Sequence, residues 1–584
     1  MKISEALKVL QSVPREGEPF EAALVCGFTP LHLETLLGAR LQQRLSGRRI
    51  AVAKGLFGDT AGTLESLRGA RPHAVALALE WQDLDPRLGF RAAGAWNPAA
   101  VADIVTSAAR MLDRMGAAVE QIEPGVPVAC CLPTLPLPPL FHTPGWQSSE
   151  ACVLLEGSLN DFALRVVRRP GAALADTARL AQNSPPAARF DLKSDLASGL
   201  PYTLAHADAV AEALALLLVP PAPKKGLVTD LDDTLWHGLV GEIGPENVSW
   251  DLDSHHPVHG LYQKLLASFA EEGVLIGVAS KNDAQVAARA LARPDILLPP
   301  GKIYPLEVHW NPKSGSVGRI LKAWNIGADS VVFVDDSPME LAEVAAAHPG
   351  IECVLFPKSD PAACLALLRR LRDWFGKPRI AGEDALRLES IRQGEAFREV
   401  ESGGGAEAFL SQADATLTID FAVSSSDART LELVNKTNQF NLNGVRFTEG
   451  DWLRLLANPN AILAAVSYQD KFGPLGKIAV LAGHVDGDEM RVNSWVMSCR
   501  AFSRRIEHRC LQSLFDRCAA REIIFDFRPT AKNGPLQDFF ESLTGGRPQG
   551  PFRLTREQFE EKRPLLYHRI VETESTSWMP SQPA

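Results

Sequence analysis

The chain has no apolar run long enough to cross a membrane. The most apolar candidate, residues 207–219, is too short and carries Asp208 and Glu212. The first eight residues lack the apolar core of a signal peptide. We therefore expect a cytoplasmic protein that does not bind membranes.

Excess basic charge and metal-type cysteine spacing are also missing. The net charge of −10 gives no electrostatic support for a nucleic-acid partner. The nine cysteines are scattered without the close pairing of a zinc site, and they suit a reducing compartment. The remaining composition is typical of a globular protein. The length of 584 residues predicts several domains.

The pattern of strands and helices divides the chain. Residues 1–220 alternate strand and helix, which predicts a doubly wound parallel α/β domain, and residues 221–375 repeat this pattern in a second α/β domain. A charged helical connector is predicted over 376–405, an α+β domain over 406–571 and a disordered tail over 572–584. The fold class is therefore multidomain α/β.

The most informative stretch is the β-branched run that ends in Asp230 and Asp232. In an extended strand end, residues i and i+2 point the same way, so the two carboxylates converge. Their repulsion is relieved by a cation or a shared proton. A hard divalent ion such as Mg²⁺, together with a phosphate, provides that relief.

Further polar residues follow at later strand ends in the order that a phosphoryl-transfer site requires. Ser280 ends an apolar strand, Lys313 precedes a helical segment, and Asp335 with Asp336 ends another buried strand. Alone, the first of these is a common helix cap and the last a common solvated loop. Their shared order along a βα pattern favours one site.

The chemistry assigns roles to these residues. Asp230 is the expected nucleophile and Asp232 the expected general acid and base. Phosphoryl oxygens are expected to contact Thr234, Ser280, Lys281 and Lys313. The expected Mg²⁺ ligands are Asp230, Asp232, Asp335 and Asp336. Residues 235–273 are too few for a folded cap domain, so we expect a site open to large phosphorylated substrates.

The extended motifs resemble the FkbH-like subfamily of the haloacid dehalogenase (HAD) superfamily. The matching stretches are Asp230–Gly238, Ser280–Asn282, Trp310–Ser314, Phe333–Glu340, Asn435–Asn443, Asp470–Gly473 and Met497–Arg500. The resemblance implies a glyceryltransferase–phosphatase that takes phosphoglycerate from 1,3-bisphosphoglycerate as a thioester, dephosphorylates it and passes it to an acyl carrier protein for polyketide or related biosynthesis. The group held as the thioester is the phosphoglyceryl group. The resemblance also implies a GNAT-like third domain and a degenerate SGNH-hydrolase-like first domain.

The chain departs from this family at several positions. Ala279 stands where many relatives have a cysteine, so that position cannot hold an acyl group. Asp233 replaces a common asparagine, His237 a glycine, and Arg505 a glycine at a helix start. In the first domain the stretch 26–29 lacks a nucleophilic serine, which predicts no esterase activity.

The third domain offers candidate residues with two interpretations each. Cys499 is a candidate acyl-carrying thiol, since Arg500 and Arg504 nearby would favour its thiolate; alternatively it is a core cysteine. Asn438 and Asn441 could bind a glyceryl or pantetheine group, or instead cap helices and turns. The arginines could also contact a phosphate directly.

Two other functions stay open at this point. The chain could be a Mg²⁺-dependent phosphatase that acts on a free metabolite. It could instead be a GNAT-type acyltransferase or a scaffold with a vestigial HAD module, although the intact acidic motifs argue against that.

Overall fold

A computed structural model describes residues 1–12, 17–142, 145–252, 256–376, 387–389, 391–392, 406–421, 427–458, 460–471, 473–487, 489–498, 501–502, 504–518 and 520–573. The chain forms two compact units. One contains Met1–Pro221 and Phe447–Leu455, and the other contains Ala222–Arg446 and Leu456–Ala584. Within the described ranges, no helix is both long and apolar enough to cross a bilayer.

The first unit is built on a five-stranded sheet in which all neighbours are parallel. Its strands are β1 (Glu18–Val25), β2 (Arg48–Lys54), β3 (Ala74–Ala78), β4 (Val128–Cys131) and β5 (Ala172–Leu174), in the order β2-β1-β3-β4-β5. Its α-helices span Ile3–Gln11, Leu31–Arg44, Thr60–Ser66, Trp81–Leu84, Val101–Glu120, Glu150–Arg168, Thr177–Asn183, Leu192–Ser198 and Leu204–Leu218. Alternate residues of β1 enter two separate apolar cores: Leu24 lies in one and Val25 in the other. A sheet covered on both faces is the doubly wound arrangement.

A buried polar network lies beyond the ends of β3 and β4. The Glu80 carboxylate accepts hydrogen bonds from the Thr134 hydroxyl (2.6 Å) and the Tyr202 hydroxyl (2.7 Å). Thr134 also contacts His206 Nε2 at 2.8 Å, and Ser184 contacts His206 Nδ1 at 2.9 Å. Both ring nitrogens of the fully buried His206 are thus occupied, as expected for a structural histidine.

The second unit contains a parallel five-stranded sheet in its first part. Its strands are β6 (Gly226–Thr229), β7 (Leu275–Ser280), β8 (Ile303–Val308), β9 (Val331–Asp335) and β10 (Glu352–Leu355), in the order β10-β9-β6-β7-β8. Its α-helices span Val240–Ile243, Pro257–Glu271, Ala284–Leu291, Lys313–Trp324, Pro338–Ala347 and Pro361–Phe375. The three central strands β9, β6 and β7 are neighbours, so their carboxyl ends lie together at one edge.

The rest of this unit contains a mixed seven-stranded sheet. Its strands are β11 (Thr416–Asp420), β12 (Ala461–Asp470), β13 (Gly473–Asp486), β14 (Glu489–Met497), β15 (Glu522–Phe525), β16 (Phe552–Thr555) and β17 (Arg569–Thr573), in the order β16-β15-β14-β13-β12-β11-β17. The β14–β15 and β11–β17 pairs are parallel and the others antiparallel. Helices along this stretch span Ala406–Ser411, Ala428–Lys436, Glu449–Leu456, Ile506–Cys518, Gly534–Thr544 and Arg556–Lys562, of which the third packs largely with the first unit.

The predicted multidomain α/β class with parallel sheets is confirmed. Of the predicted tail, residues 572 and 573 end β17, and 574–584 lie outside the described residues. Most of the predicted connector, 376–405, also lies outside them.

Candidate active site

Asp230 follows β6 at the centre of the second parallel sheet. Its backbone N–H donates to the Val334 carbonyl of β9 at 3.0 Å, which continues the strand pairing by one residue. The Asp230 side chain is 7% exposed. Burial is the main cause that raises the pKa of Asp230, and Asp335 adds to it, while Lys313 acts in the opposite direction.

Lys313 lies at the start of its helix and points into the same site. Its Nζ is 2.6 Å from Asp335 Oδ2 and 3.1 Å from Asp230 Oδ1. Burial lowers the pKa of Lys313, but the two carboxylates outweigh it, so the pKa is raised. A charged lysine is therefore held between the predicted nucleophile and the predicted metal-binding strand.

Three acids form a group that could hold a metal ion. Asp230, Asp335 and Asp336 each offer an oxygen within 4.8 Å of the others. Asp230 Oδ1 is buried, and Lys313 Nζ lies 3.1 Å from it. A largely buried set of hard carboxylate oxygens suits a hard divalent cation such as Mg²⁺.

Asp232 lies outside that group and is oriented by other donors. Its Oδ1 accepts from Trp236 Nε1 at 2.8 Å and from the Val240 backbone N–H at 3.1 Å. Its Oδ2 accepts from Asn282 Nδ2 at 3.0 Å. A carboxylate fixed in this way suits a proton-transfer role better than metal ligation.

The predicted phosphate-binding residues differ in how they face the site. The Ser280 side chain is buried and hydrogen-bonds Asp230, and Asn282 Nδ2 lies 3.3 Å from its Oγ. The Thr234 hydroxyl is fully buried and has no hydrogen-bond partner among the residues that the structure describes. Lys281 instead forms an ion pair with Glu340 at 2.7 Å. Asp230, Ser280, Lys313 and Asp335 thus converge, whereas Lys281 is engaged elsewhere.

Two residues at this site were not predicted to be functional. Asn282 faces the site, whereas its neighbour Asp283 caps the following helix by accepting from the N–H groups of Gln285 and Val286. Lys358, after β10, lies beside Asp336. No sequence motif marks Lys358, because its place depends on the pairing of β9 with β10.

The segment that connects β6 to β7, beside the site, contains little regular structure. Between β6 and β7 the described residues form only the helices Val240–Ile243 and Pro257–Glu271, with 253–255 outside the description. Ala279, at the position of the family cysteine, is fully buried and packs with Val228 and Leu275 in an apolar cluster.

The candidate residues that were predicted between positions 438 and 504 have contacts of their own. Asn438 accepts a hydrogen bond from Arg446, and Asn441 Oδ1 accepts from the Gly444 N–H at 2.8 Å, as in a turn. Arg504 is 3% exposed, with its guanidinium 5.6 Å from the Tyr468 ring centroid. Cys499 and Arg500 lie outside the described residues.

Comparison with known proteins supports the fold. The N-terminal part of BF1531 from Bacteroides fragilis, which contains a phosphatase domain and was crystallised in complex with Mg, has a TM-score of 0.50 and 18% sequence identity. This similarity covers 64% of this chain and 98% of that chain. An uncharacterized protein from Corynebacterium glutamicum has a TM-score of only 0.20 and 17% identity, covering 27% of this chain and 98% of that chain.

No protein-family model and no curated protein matches the chain. At 18% identity, the BF1531 similarity establishes a fold shared with a phosphatase-domain protein. The finer FkbH-like, SGNH-like and GNAT-like assignments stay predictions.

Proposed function

We propose that the chain is a Mg²⁺-dependent phosphatase of the HAD type that acts on a phosphorylated group through an aspartyl-phosphate intermediate. The observation that carries this is the convergence of Asp230, Lys313 and Asp335 at the carboxyl edge of a parallel sheet. Lys313 Nζ lies 3.1 Å from Asp230 Oδ1 and 2.6 Å from Asp335 Oδ2. The Mg-bound phosphatase neighbour supports the same chemistry.

The reaction uses two carboxylates in turn. Asp230 attacks phosphorus, and the bond to the leaving oxygen breaks while Asp232 gives that oxygen a proton. Asp232 then takes a proton from water, the water oxygen attacks the aspartyl phosphate, and the Asp230–phosphorus bond breaks to release phosphate. Lys313 and Ser280 hold the phosphoryl oxygens. The bound Mg²⁺ would be held by Asp230, Asp335 and Asp336 and would offset negative charge on the phosphoryl group.

A finer proposal concerns the substrate. The short connection between β6 and β7 leaves room for a phosphorylated group on a large carrier. Together with the FkbH-like motifs, this favours transfer of the phosphoglyceryl group from 1,3-bisphosphoglycerate to the thiol of an acyl carrier protein. The C1 phosphate leaves as the thioester forms, and the Asp230 site then removes the C3 phosphate. Because position 279 is an alanine without a thiol, any thioester on this chain must form at a cysteine elsewhere.

Phosphate release and the mass of the carrier protein test both levels of the proposal. Purified protein is incubated with Mg²⁺ and 1,3-bisphosphoglycerate, with and without a phosphopantetheinylated carrier. We expect a glyceryl mass increase on the carrier that is lost in Asp230→Asn and retained in Glu271→Gln, an exposed helix position. If phosphate is released but the carrier stays unmodified, the proposed phosphatase activity is retained and the proposed transferase activity is rejected. Equal release of the C3 phosphate by Asp230→Asn would reject both.

A further inference from the structure

Lys358 is held at the mouth of the acidic site by the strand pairing. Leu355 of β10 pairs with Asp335 of β9, and the Phe356 N–H donates to the Asp335 carbonyl at 2.8 Å. The next turn is closed by the Lys358 N–H, which donates to the Phe356 carbonyl at 3.0 Å. This register places Lys358 just beyond the end of β9, beside Asp336.

The ammonium of Lys358 links two loops. Its Nζ donates to Asp336 Oδ2 at 2.8 Å and to Asp233 Oδ2 at 2.7 Å. Asp336 belongs to the metal-binding group, and Asp233 lies on the nucleophile loop one residue after Asp232. One cation therefore joins the loop after β6 to the loop after β9.

Asp233 is held for this contact by its backbone. It has φ +52°, an uncommon conformation for a residue with a side chain, and its Oδ1 accepts from the Gly238 N–H at 2.9 Å. Its Oδ2 is left facing Lys358. Lys358 and its hydrogen bonds are among the causes that lower the pKa of Asp233, although burial acts in the opposite direction.

We propose that Lys358 is a positioning residue that competes with the divalent cation for Asp336, and that Asp233 weakens this competition by sharing the ammonium. The inference rests on the proposed metal site. A cation next to one of the metal ligands opposes binding of a second cation. Pairing with Asp233 holds Lys358 between the loops, so Asp336 is only partly neutralised.

The direction of the change in Mg²⁺ affinity separates this proposal from simple damage to the fold. Removal of Lys358 frees the Asp336 carboxylate, so the site should bind Mg²⁺ more tightly, whereas simple damage to the fold would weaken binding. Neutralisation of Asp233 leaves Lys358 to pair with Asp336 alone, so binding should weaken. Because Asp233 acts through Lys358, most of its effect should vanish once Lys358 is gone.

The test is isothermal titration of the full-length, EDTA-treated protein with Mg²⁺ at fixed pH and ionic strength. We expect Lys358→Met to tighten binding by about three- to tenfold, in line with loss of one nearby charge in a solvent-exposed setting. The Mg²⁺ affinity of Lys358→Arg should stay near that of the unmodified protein. The same holds for Lys264→Met, which removes an exposed lysine elsewhere in the unit. Asp233→Asn should weaken binding in the unmodified background and change it little in Lys358→Met.

Unchanged or weaker Mg²⁺ binding in Lys358→Met would overturn the proposal. Fully additive effects of Asp233→Asn and Lys358→Met would also overturn it, since they would indicate independent long-range charges. If the unmodified protein binds no Mg²⁺ at all, the proposed function itself fails, and that result differs from the other two.

Discussion

The Asn282 amide donates to Asp232 Oδ2 at 3.0 Å, which completes a set of three donors around that carboxylate. Asn282 is 3% exposed and lies two residues after the Ser280 hydroxyl. Its amide thus connects the end of β7, where we propose that phosphate binds, to Asp232, the proposed proton-transfer residue. Asp232 is held in place from β7 as well as from its own loop.

We therefore expect Asn282→Ala to slow phosphate release by about 10- to 100-fold, part of the ~10²–10⁴-fold that general acid–base catalysis contributes. Asp232 would keep its two Oδ1 donors but lose the donor to Oδ2. Steady-state kinetics with saturating Mg²⁺ measures this. The matched control is the neighbouring Asp283→Ala, which removes a helix cap and costs about 1 kcal/mol of stability. An equal loss of rate in both variants would assign Asn282 a purely structural role.

Lys313→Met should strongly destabilise the second unit in the absence of metal. The substitution leaves Asp230 and Asp335 buried next to each other without their shared cation, and breaking a buried ion pair costs about 3–5 kcal/mol. Denaturant unfolding in EDTA measures the loss. Added Mg²⁺ should restore part of it, because a dication at the same carboxylates replaces the missing charge. Lys264→Met should show neither effect; a loss below about 1 kcal/mol for Lys313→Met would contradict the buried pair.

Glu80 and His206 should give opposite pH dependences of stability in the first unit. Burial raises the pKa of Glu80 from 4.5 to about 7, so its stabilising contribution is complete below pH 4.5 and is lost as pH rises through 7. Burial lowers the pKa of His206 from 6.5 to about 3, so its contribution is complete above pH 6.5 and is lost as pH falls towards 3. Between pH 4.5 and 6.5 the two slopes oppose each other.

Single variants should separate these two contributions. In His206→Asn, stability should fall as pH rises from 4.5 to 7; in Glu80→Gln, it should rise from pH 3 to 6.5. Hydrogen exchange of the helix Leu204–Leu218, which carries His206, reports on this unit. Identical pH profiles for the two variants would show that neither group titrates as its burial requires.

Arg505→Gly should be more stable than Arg505→Ala by about 0.5–1 kcal/mol. Arg505 has φ +59° in the turn before the helix Ile506–Cys518, where a residue with a Cβ is strained and glycine is not. Both substitutions remove the hydrogen bond to the Leu565 carbonyl and the ion pair with Glu407, so their difference isolates the backbone. Paired thermal unfolding measures it. Equal midpoints would mean that the turn relaxes when the arginine is lost.

The edge that carries the candidate site was predictable because parallel strands end together. The apolar strands leading to Asp230, Ser280 and Asp335 have unambiguous patterns, and the topology then brings their ends to one edge. Lys313 followed from its place before a helix. In each case a local signal and a general rule of the fold were sufficient.

The residues that were missed depend on tertiary register or on a choice between equivalent neighbours. Asn282 and Asp283 are both good helix caps, and only the position of Asp232 decides which side chain faces the site. Lys358 is 22 residues beyond Asp336, and only the β9–β10 pairing brings them together. Local sequence patterns contain neither piece of information.

The helix Glu449–Leu456 has a consequence for synthesis of the protein. Segment Phe447–Leu455 belongs to the first compact unit, although more than 220 residues of the second unit precede it in the chain. The N-terminal unit therefore cannot be completed on the ribosome as soon as its own sheet has emerged. The segment Phe447–Leu455 becomes available only after the entire sheet β6–β10 has been translated, so the first unit cannot be completed before that sheet has been synthesised.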